Sequence, residues 1–268
     1  MFDKILYINL EHRADRRRNV IEQVSKIGMI DLLERIDAVN GNKIDINNIS
    51  RDLITQKGIN DALNSRQKIH PPLTKGGIGC ALSHRKAYQR IANDDKINAA
   101  LIIEDDITIN NDFLNKLKVI KRNTPSNYEI LFIGHTWPSL HYSSIKVNDI
   151  IRKPSIIYGL FGYIVTKEGA KKLLDIFPIT LQIDYEMSAH FNKINAFLVT
   201  HNYQIITSDP SSIITKFGTD IQVRESFCSS NSNNNSNNNS NNIAITIISI
   251  MFIMFIMFIM FYLFMKRK

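Results

Sequence analysis

Three consecutive carboxylates, Glu104, Asp105 and Asp106, close an apolar run in the stretch LIIEDDIT, Leu101–Thr108. Like charges side by side repel, and setting them at the end of a buried strand adds a desolvation cost unless cations or hydrogen bonds compensate. Hard carboxylate oxygens suit a divalent cation such as Mn²⁺ or Mg²⁺, which can in turn offset charge on a phosphate-bearing ligand. Acids after a strand also cap helices, so the triplet takes its meaning from its surroundings.

Other groups able to do chemistry are spread along the chain. In GGIGCALSH, Gly76–His84, glycines let backbone approach a ligand, and the Ser83-His84 pair is expected to begin a helix whose N-terminal region favours anions. Arg16 follows the first strand, where an open α/β sheet places its ligand crevice, and a guanidinium there can clamp a diphosphate bidentately. It stands in a charged run with His12, Arg13, Arg17 and Arg18, which would equally suit a solvated surface. Asp184, in LQIDYEM, is a carboxylate suited to general-base work, with Glu186 as the other choice; both would also suit the exposed start of a helix. His135, His141 and His201 could complete a metal site, and spacing singles out none of them. Tyr163 and Trp137 could stack on a sugar or a base, or fill the core.

These residues need a scaffold, and the apolar periodicity supplies one. KILYINL, Lys4–Leu10, reads as a buried strand, and Asp15–Ile27 as a helix through Val20, Val24 and Ile27. ERIDAVNGNKID suggests a short strand and an Asn-Gly turn. Pro71 and Pro72 open a loop that Gly76, Gly77 and Gly79 keep compact, and Cys80–Asn93 is expected to be helical. INAALIIEDDIT has apolar residues on both faces and reads as a central strand. A helix over Asn111–Ile120, strands in YEILFIGHTW and IIYGLFGYIVT, a helix over Lys167–Phe177 and a strand pair in FLVTHNYQIITSDP complete the pattern. Alternating strands and helices predict an α/β fold, a mixed central sheet flanked by helices.

Composition divides the 268 residues. Residues 1–227 are long enough for one sizeable domain. Residues 228–242 are nearly pure Ser and Asn and read as a flexible linker. Residues 243–265 carry no charge, repeat MFIMFIMFIMF, and are expected to form a transmembrane helix. Residues 266–268 form a basic tail. The N-terminal segment lacks the pattern of a signal peptide, so the expectation is a single-pass, tail-anchored membrane protein with its main domain in the cytosol. The net charge of +8 suits an anionic ligand and is weak for a nucleic-acid binder, so no nucleic-acid partner is expected. Two cysteines, Cys80 and Cys228, cannot build a disulfide framework or a Cys-x-x-Cys metal site.

Four blocks, in order, resemble glycosyltransferase family 25, the lipooligosaccharide galactosyltransferases and related collagen galactosyltransferases. They are YINLEHRADRR, with Ile8, Asn9, Leu10, Asp15 and Arg16; GGIGCALSH, the most specific; IIEDD; and GYIVTKEGAKKLL followed by QIDYEM. The resemblance implies a GT-A-like single domain. It implies transfer of a hexose, galactose or glucose, from a UDP-sugar to a hydroxyl of a glycan or glycoprotein acceptor, assisted by Mn²⁺ or Mg²⁺. It leaves the stereochemistry open, and the expectation of inversion rests on direct displacement with a carboxylate taking the acceptor's proton. Asp184 and His84 are then expected to be catalytic. Asn9, Arg16, Glu104 and Asp105 are expected at the nucleotide sugar, Asp106 as the direct metal ligand, and Asp105 shared between metal and nucleotide. One departure stands out: Gly77 occupies a position where the family pattern leads one to expect Glu. It opens the alternative of a catalytically silent, membrane-tethered relative that binds glycans or acts as a scaffold.

Overall fold

A computed structural model describes residues 1–64, 72–136 and 144–208 of the chain. Its core is an eight-stranded mixed sheet built from β1 (Lys4–Asn9), β2 (Leu33–Asp37), β3 (Ala99–Glu104), β5 (Ile130–Gly134), β6 (Ile145–Lys146), β7 (Ile151–Lys153), β8 (Gly162–Thr166) and β9 (Ala196–Val199). The spatial order is β2-β1-β3-β8-β5-β9-β7-β6. β4 (Ile107–Ile109) and β10 (Ile206–Ser208) pair antiparallel in a separate two-stranded ribbon.

The central strands are apolar at nearly every position because both faces of the sheet are covered. Successive side chains of a strand point to opposite faces, so Leu6 and Ile8 join one core while Ile5 and Tyr7 join the other. The first core receives α2 (Gln56–Asn64), α3 (Lys75–Ala92), α5 (Lys167–Leu174) and α6 (Ile183–Ala189) through Ile59, Ile78, Tyr88, Leu173 and Met187. The second receives α1 (Ala14–Lys26) and α4 (Phe113–Asn123) through Val20, Val24, Phe113 and Ile120.

Strands β2, β1 and β3 run parallel, so their carboxyl ends emerge on one edge. Open α/β sheets bind their ligands at such an edge. The chain after β3 leaves the sheet: Asp105 and Asp106 form a bend, and β4 then pairs with β10 instead of continuing the strand.

Several sequence expectations change. The glycines of GGIGCALSH form the first turns of α3 and not a loop, and Thr74 caps that helix by accepting from the Gly77 amide at 2.9 Å. Ser83 and His84 therefore lie in the body of the helix, too far from its N-terminus for an anion-binding role there. The glycines are required by proximity. A Cβ on Gly79 would lie 2.5 Å from the Val39 carbonyl oxygen, and one on Gly41 would lie 2.0 Å from that of Lys75. The strand expected in IIYGLFGYIVT begins only at Gly162, because Gly159 takes a left-handed φ of +79°. The expected strand pair near the end exists as β9 and β10, but each pairs elsewhere. Helix α2 and the β6-β7 hairpin were not expected. Among the described residues no helix is long and apolar enough to cross a membrane. The linker, the 243–265 segment, the basic tail, Trp137 and His141 lie outside the described residues.

The tight seam between α3 and the segment around Gly41 gives a stability prediction. Gly79→Ala forces backbone apart and should cost about 1–3 kcal/mol, seen as a fall of several degrees in Tm. The same exchange at Gly28, where a left-handed φ of +70° meets open space, should cost less by thermal melting, since only backbone strain is added.

Candidate active site

A cleft opens at the shared edge of β2, β1 and β3. Its floor and walls come from the ends of these strands, including Ile8, Val39 and the acids Glu104–Asp106, and from the Gly76–His84 part of α3. Arg16 reaches it from the first turn of α1. Strand order thus brings together residues that are nearly ninety positions apart in the chain.

The acids are not equivalent. Asp105 is buried and both its oxygens are taken: Asn9 Nδ2 donates to Oδ2 at 2.6 Å, and Arg16 Nη1 donates to Oδ1 at 2.9 Å. Arg35 donates to Asn9 Oδ1 at 3.2 Å and to its backbone oxygen at 2.9 Å, which fixes the orientation of the amide. Burial pushes the Asp105 carboxyl up, opposed first by the Arg16 charge and then by the Asn9 hydrogen bond. Both partners can only donate, so the carboxylate accepts from both and stays ionised. Asn9 and Arg16 thus hold Asp105, and Asp105 in turn holds the guanidinium.

Asp106 is different. Its carboxyl is pushed up to about 7, first by burial and then by the charge of Glu104, against a smaller opposing effect of Arg16, whose Nη1 lies 3.5 Å away. Asp106 and Glu104 line the same cleft, and burial with the Glu104 charge outweighs the nearby Arg16 at Asp106, which leaves the pair short of positive charge. A divalent cation would supply it, so the donor set fits Mn²⁺ or Mg²⁺ through Asp106 and Glu104. Asp105 has both oxygens engaged by Asn9 and Arg16, so the expected sharing with the metal would have to compete with these two donors.

His84 is almost fully buried. Its Nδ1 lies 2.7 Å from the Tyr163 hydroxyl and its Nε2 lies 3.3 Å from Glu104 Oε1, while Tyr163 and Tyr88 hydroxyls are 2.9 Å apart. A carboxylate accepts only, so Nε2 carries the proton toward Glu104 and Nδ1 accepts from Tyr163. Burial raises the Tyr163 phenol well above its ordinary range, which keeps it a donor. Tyr163 is therefore a core residue with one polar task and does not stack on a ligand.

Asp184 is buried on α6, accepts from the Tyr185 amide at 2.9 Å, and lies within 3.5 Å of the Gly159 amide. It is not part of the cleft wall, yet its charge reaches Cys80: burial, then Glu104, Asp184 and Asp106 push that thiol up. Glu186 is occupied, accepting from the Thr180 and Leu181 amides at 2.9 and 3.0 Å. His135 binds the Val199 carbonyl at 2.9 Å and burial lowers its pKa, while His201 is exposed in a short turn. Gly77 leaves no hole: a Cβ there would lie 2.2 Å from Gln182 Oε1, so the Gln182 amide fills the space of a side chain.

Residues 2–187 match the family model described as "Glycosyltransferase family 25 (LPS biosynthesis protein)". The chain belongs to glycosyltransferase family 25. The matched segment contains every cleft residue named above and Asp184. Relatives of this glycosyltransferase family 25 chain include human procollagen galactosyltransferase 2, 29% identical over 203 residues, covering 72% of this chain and 31% of that protein. A second is the procollagen lysyl hydroxylase and glycosyltransferase of Acanthamoeba polyphaga mimivirus, 27% identical over 184 residues, covering 65% of this chain and 20% of that one. The chain thus spans less than a third of either relative's length. A solved glycosyltransferase involved in glycosylation of the major capsid of PBCV-1 overlays with a TM-score of 0.37 and 14% identity, covering 76% of this chain and 94% of that one.

Sequence reasoning missed Cys80 in the cleft lining and two residues that support the cleft from outside its lining, Tyr88 behind His84 through Tyr163 and Arg35 behind Asn9. The i, i+4 spacing of Cys80, His84 and Tyr88 on one helix was the available signal. Nothing local marks Arg35, which meets Asn9 only because β1 and β2 are paired.

The unequal acids predict opposite behaviour. Folded Asp106 keeps its proton to about pH 7, whereas the unfolded chain releases it near 3.8. The folded state therefore binds more protons across that window, and stability contributed by this group is lost as pH rises through it. Asp106→Asn should gain on the native protein between pH 4 and 7 in melting experiments, with the gap constant above and reduced by added Mn²⁺. Asp105→Ala leaves Arg16 buried without its main partner and should cost about 3–5 kcal/mol in chemical denaturation.

Proposed function

We propose that this protein is a GT-A-like glycosyltransferase that moves a hexose, galactose in the first instance, from a UDP-sugar to a hydroxyl of a glycan or glycoprotein acceptor. The observation that carries the reading is the cleft at the parallel-strand edge, where Arg16 faces a carboxyl, Asp106, held near neutrality beside a second acid. Galactose is favoured by the activity in the name of the human relative.

Asp106 and Glu104 would hold Mn²⁺ or Mg²⁺, which when bound supplies charge to the diphosphate leaving group. The chain's own residues do the rest. Asp105 and Asn9 hold Arg16 at the cleft, where its guanidinium charge would face a diphosphate. His84, with Nε2–H directed at Glu104, fixes that carboxylate and is assigned to positioning instead of proton transfer. Asp184 lies outside the lining of this cleft but close enough to act electrostatically on Cys80, and would take the hydroxyl proton of an acceptor bound on that side as displacement inverts the sugar carbon.

A panel of UDP-hexoses with the purified full-length protein tests this. UDP-galactose should turn over only with Mn²⁺ or a similar ion, Asp106→Ala should abolish turnover, and Asp184→Asn should lower kcat about 10²–10⁴-fold with little change in donor binding. No turnover and no nucleotide-sugar binding across the panel would favour the silent glycan-binding relative.

A further inference from the structure

Cys80, His84 and Glu104 offer a third kind of chemistry in the same cleft. One ligand atom from each, a thiol sulfur, an imidazole nitrogen and a carboxylate oxygen, lies within 4.8 Å of the other two. A tetrahedral Zn²⁺ with bonds of about 2.0–2.3 Å needs its ligand atoms roughly 3.3–3.7 Å apart, so small side-chain rotations close the set. All three residues line the cleft, which leaves a fourth position facing solvent.

The donor types discriminate. Sulfur with imidazole selects a borderline-soft cation, whereas Mn²⁺ and Mg²⁺ prefer the all-oxygen pair of Asp106 and Glu104. The support behind His84 also fits. A metal-bound histidine usually donates its other N–H to a fixed acceptor, and the Tyr163 hydroxyl at 2.7 Å from Nδ1 can accept there while donating to Tyr88. The buried phenol pair therefore serves either tautomer of the ring. Asp106 and Asp184 add negative potential around the sulfur.

We propose that Cys80, His84 and Glu104 form a binding site for a zinc-class cation on the wall of the cleft, sharing only Glu104 with the oxygen-ligand site. Binding displaces the thiol proton to solvent and changes no oxidation state. Because Glu104 belongs to both sets, occupancy would withdraw it from the nucleotide-sugar side; that regulatory consequence rests on the proposed function, whereas the binding itself does not.

Co²⁺ titration of the full-length protein followed by absorption tests the site without any turnover assay. The native protein should develop a thiolate-to-cobalt charge-transfer band, bleached by one equivalent of Zn²⁺. Cys80→Ser should lose the band and Cys228→Ser keep it. Tyr163→Phe should retain it with affinity lowered about 10–100-fold, with circular dichroism confirming that each variant is folded. Absence of the band from the native protein, or its survival in Cys80→Ser, would overturn the proposal and leave the transferase reading untouched. Should Cys80→Ser fail to fold, Glu104→Gln decides on the same band: a charge-transfer band that saturates only at higher Co²⁺ supports the site, and an unchanged titration of the band contradicts it.

Discussion

The cleft depends on one buried ion pair. Arg16 and Asp105 meet at 2.9 Å with both side chains less than a tenth exposed, and Asn9 donates to the second carboxylate oxygen. Removing two such charges from water is costly unless every lone pair and proton finds a partner. Here the partners come from three elements: the end of β1, the first turn of α1 and the bend after β3. The pair therefore fixes where α1 begins relative to the strand ends, and Arg35 from β2 extends the connection to the fourth element.

That arrangement divides labour among three adjacent acids. Asp105 is spent on structure, so its neighbours are left with less compensation than their number demands. Asp106 responds with a carboxyl held near 7, while among the described residues the side-chain donor to Glu104 is His84 Nε2 at 3.3 Å. A site with surplus negative charge at the mouth and an arginine at its back suits a cation and an anion together, which is the composition of a metal-bound diphosphate. The peptide backbone makes room for it: Gly79 and Gly41 let α3 press against the β2 exit segment, and Gln182 fills the space beside Gly77.

Much of this was legible in the sequence. Both-face apolar runs at KILYINL and AALIIE announce central strands, and the acid triplet with Arg16 marks the edge where they end. The position of α3 was harder, since Gly76, Gly77 and Gly79 read locally as a turn; they lie in the helix, where Gly79 is needed because backbone from Val39 and Gly41 approaches too closely for a side chain. The roles of Asp105 and Asp106 could not be separated by type or spacing. Burial and the reach of Asn9 and Arg16 separate them, and both depend on strand pairing. His84 likewise changes from a helix-start residue to a buried donor once Tyr163, 79 positions away, is folded against it.

The central claim is that Asp106 and not Asp105 faces the metal while Asp105 remains bound to Arg16 and Asn9. Anomalous diffraction from crystals grown with Mn²⁺ and UDP tests this most directly. The account predicts one manganese peak bonded to an Asp106 oxygen and to the diphosphate, with the Asp105–Arg16 pair intact. A peak on Asp105 with Arg16 displaced, or nucleotide bound with no manganese at these acids, would contradict it.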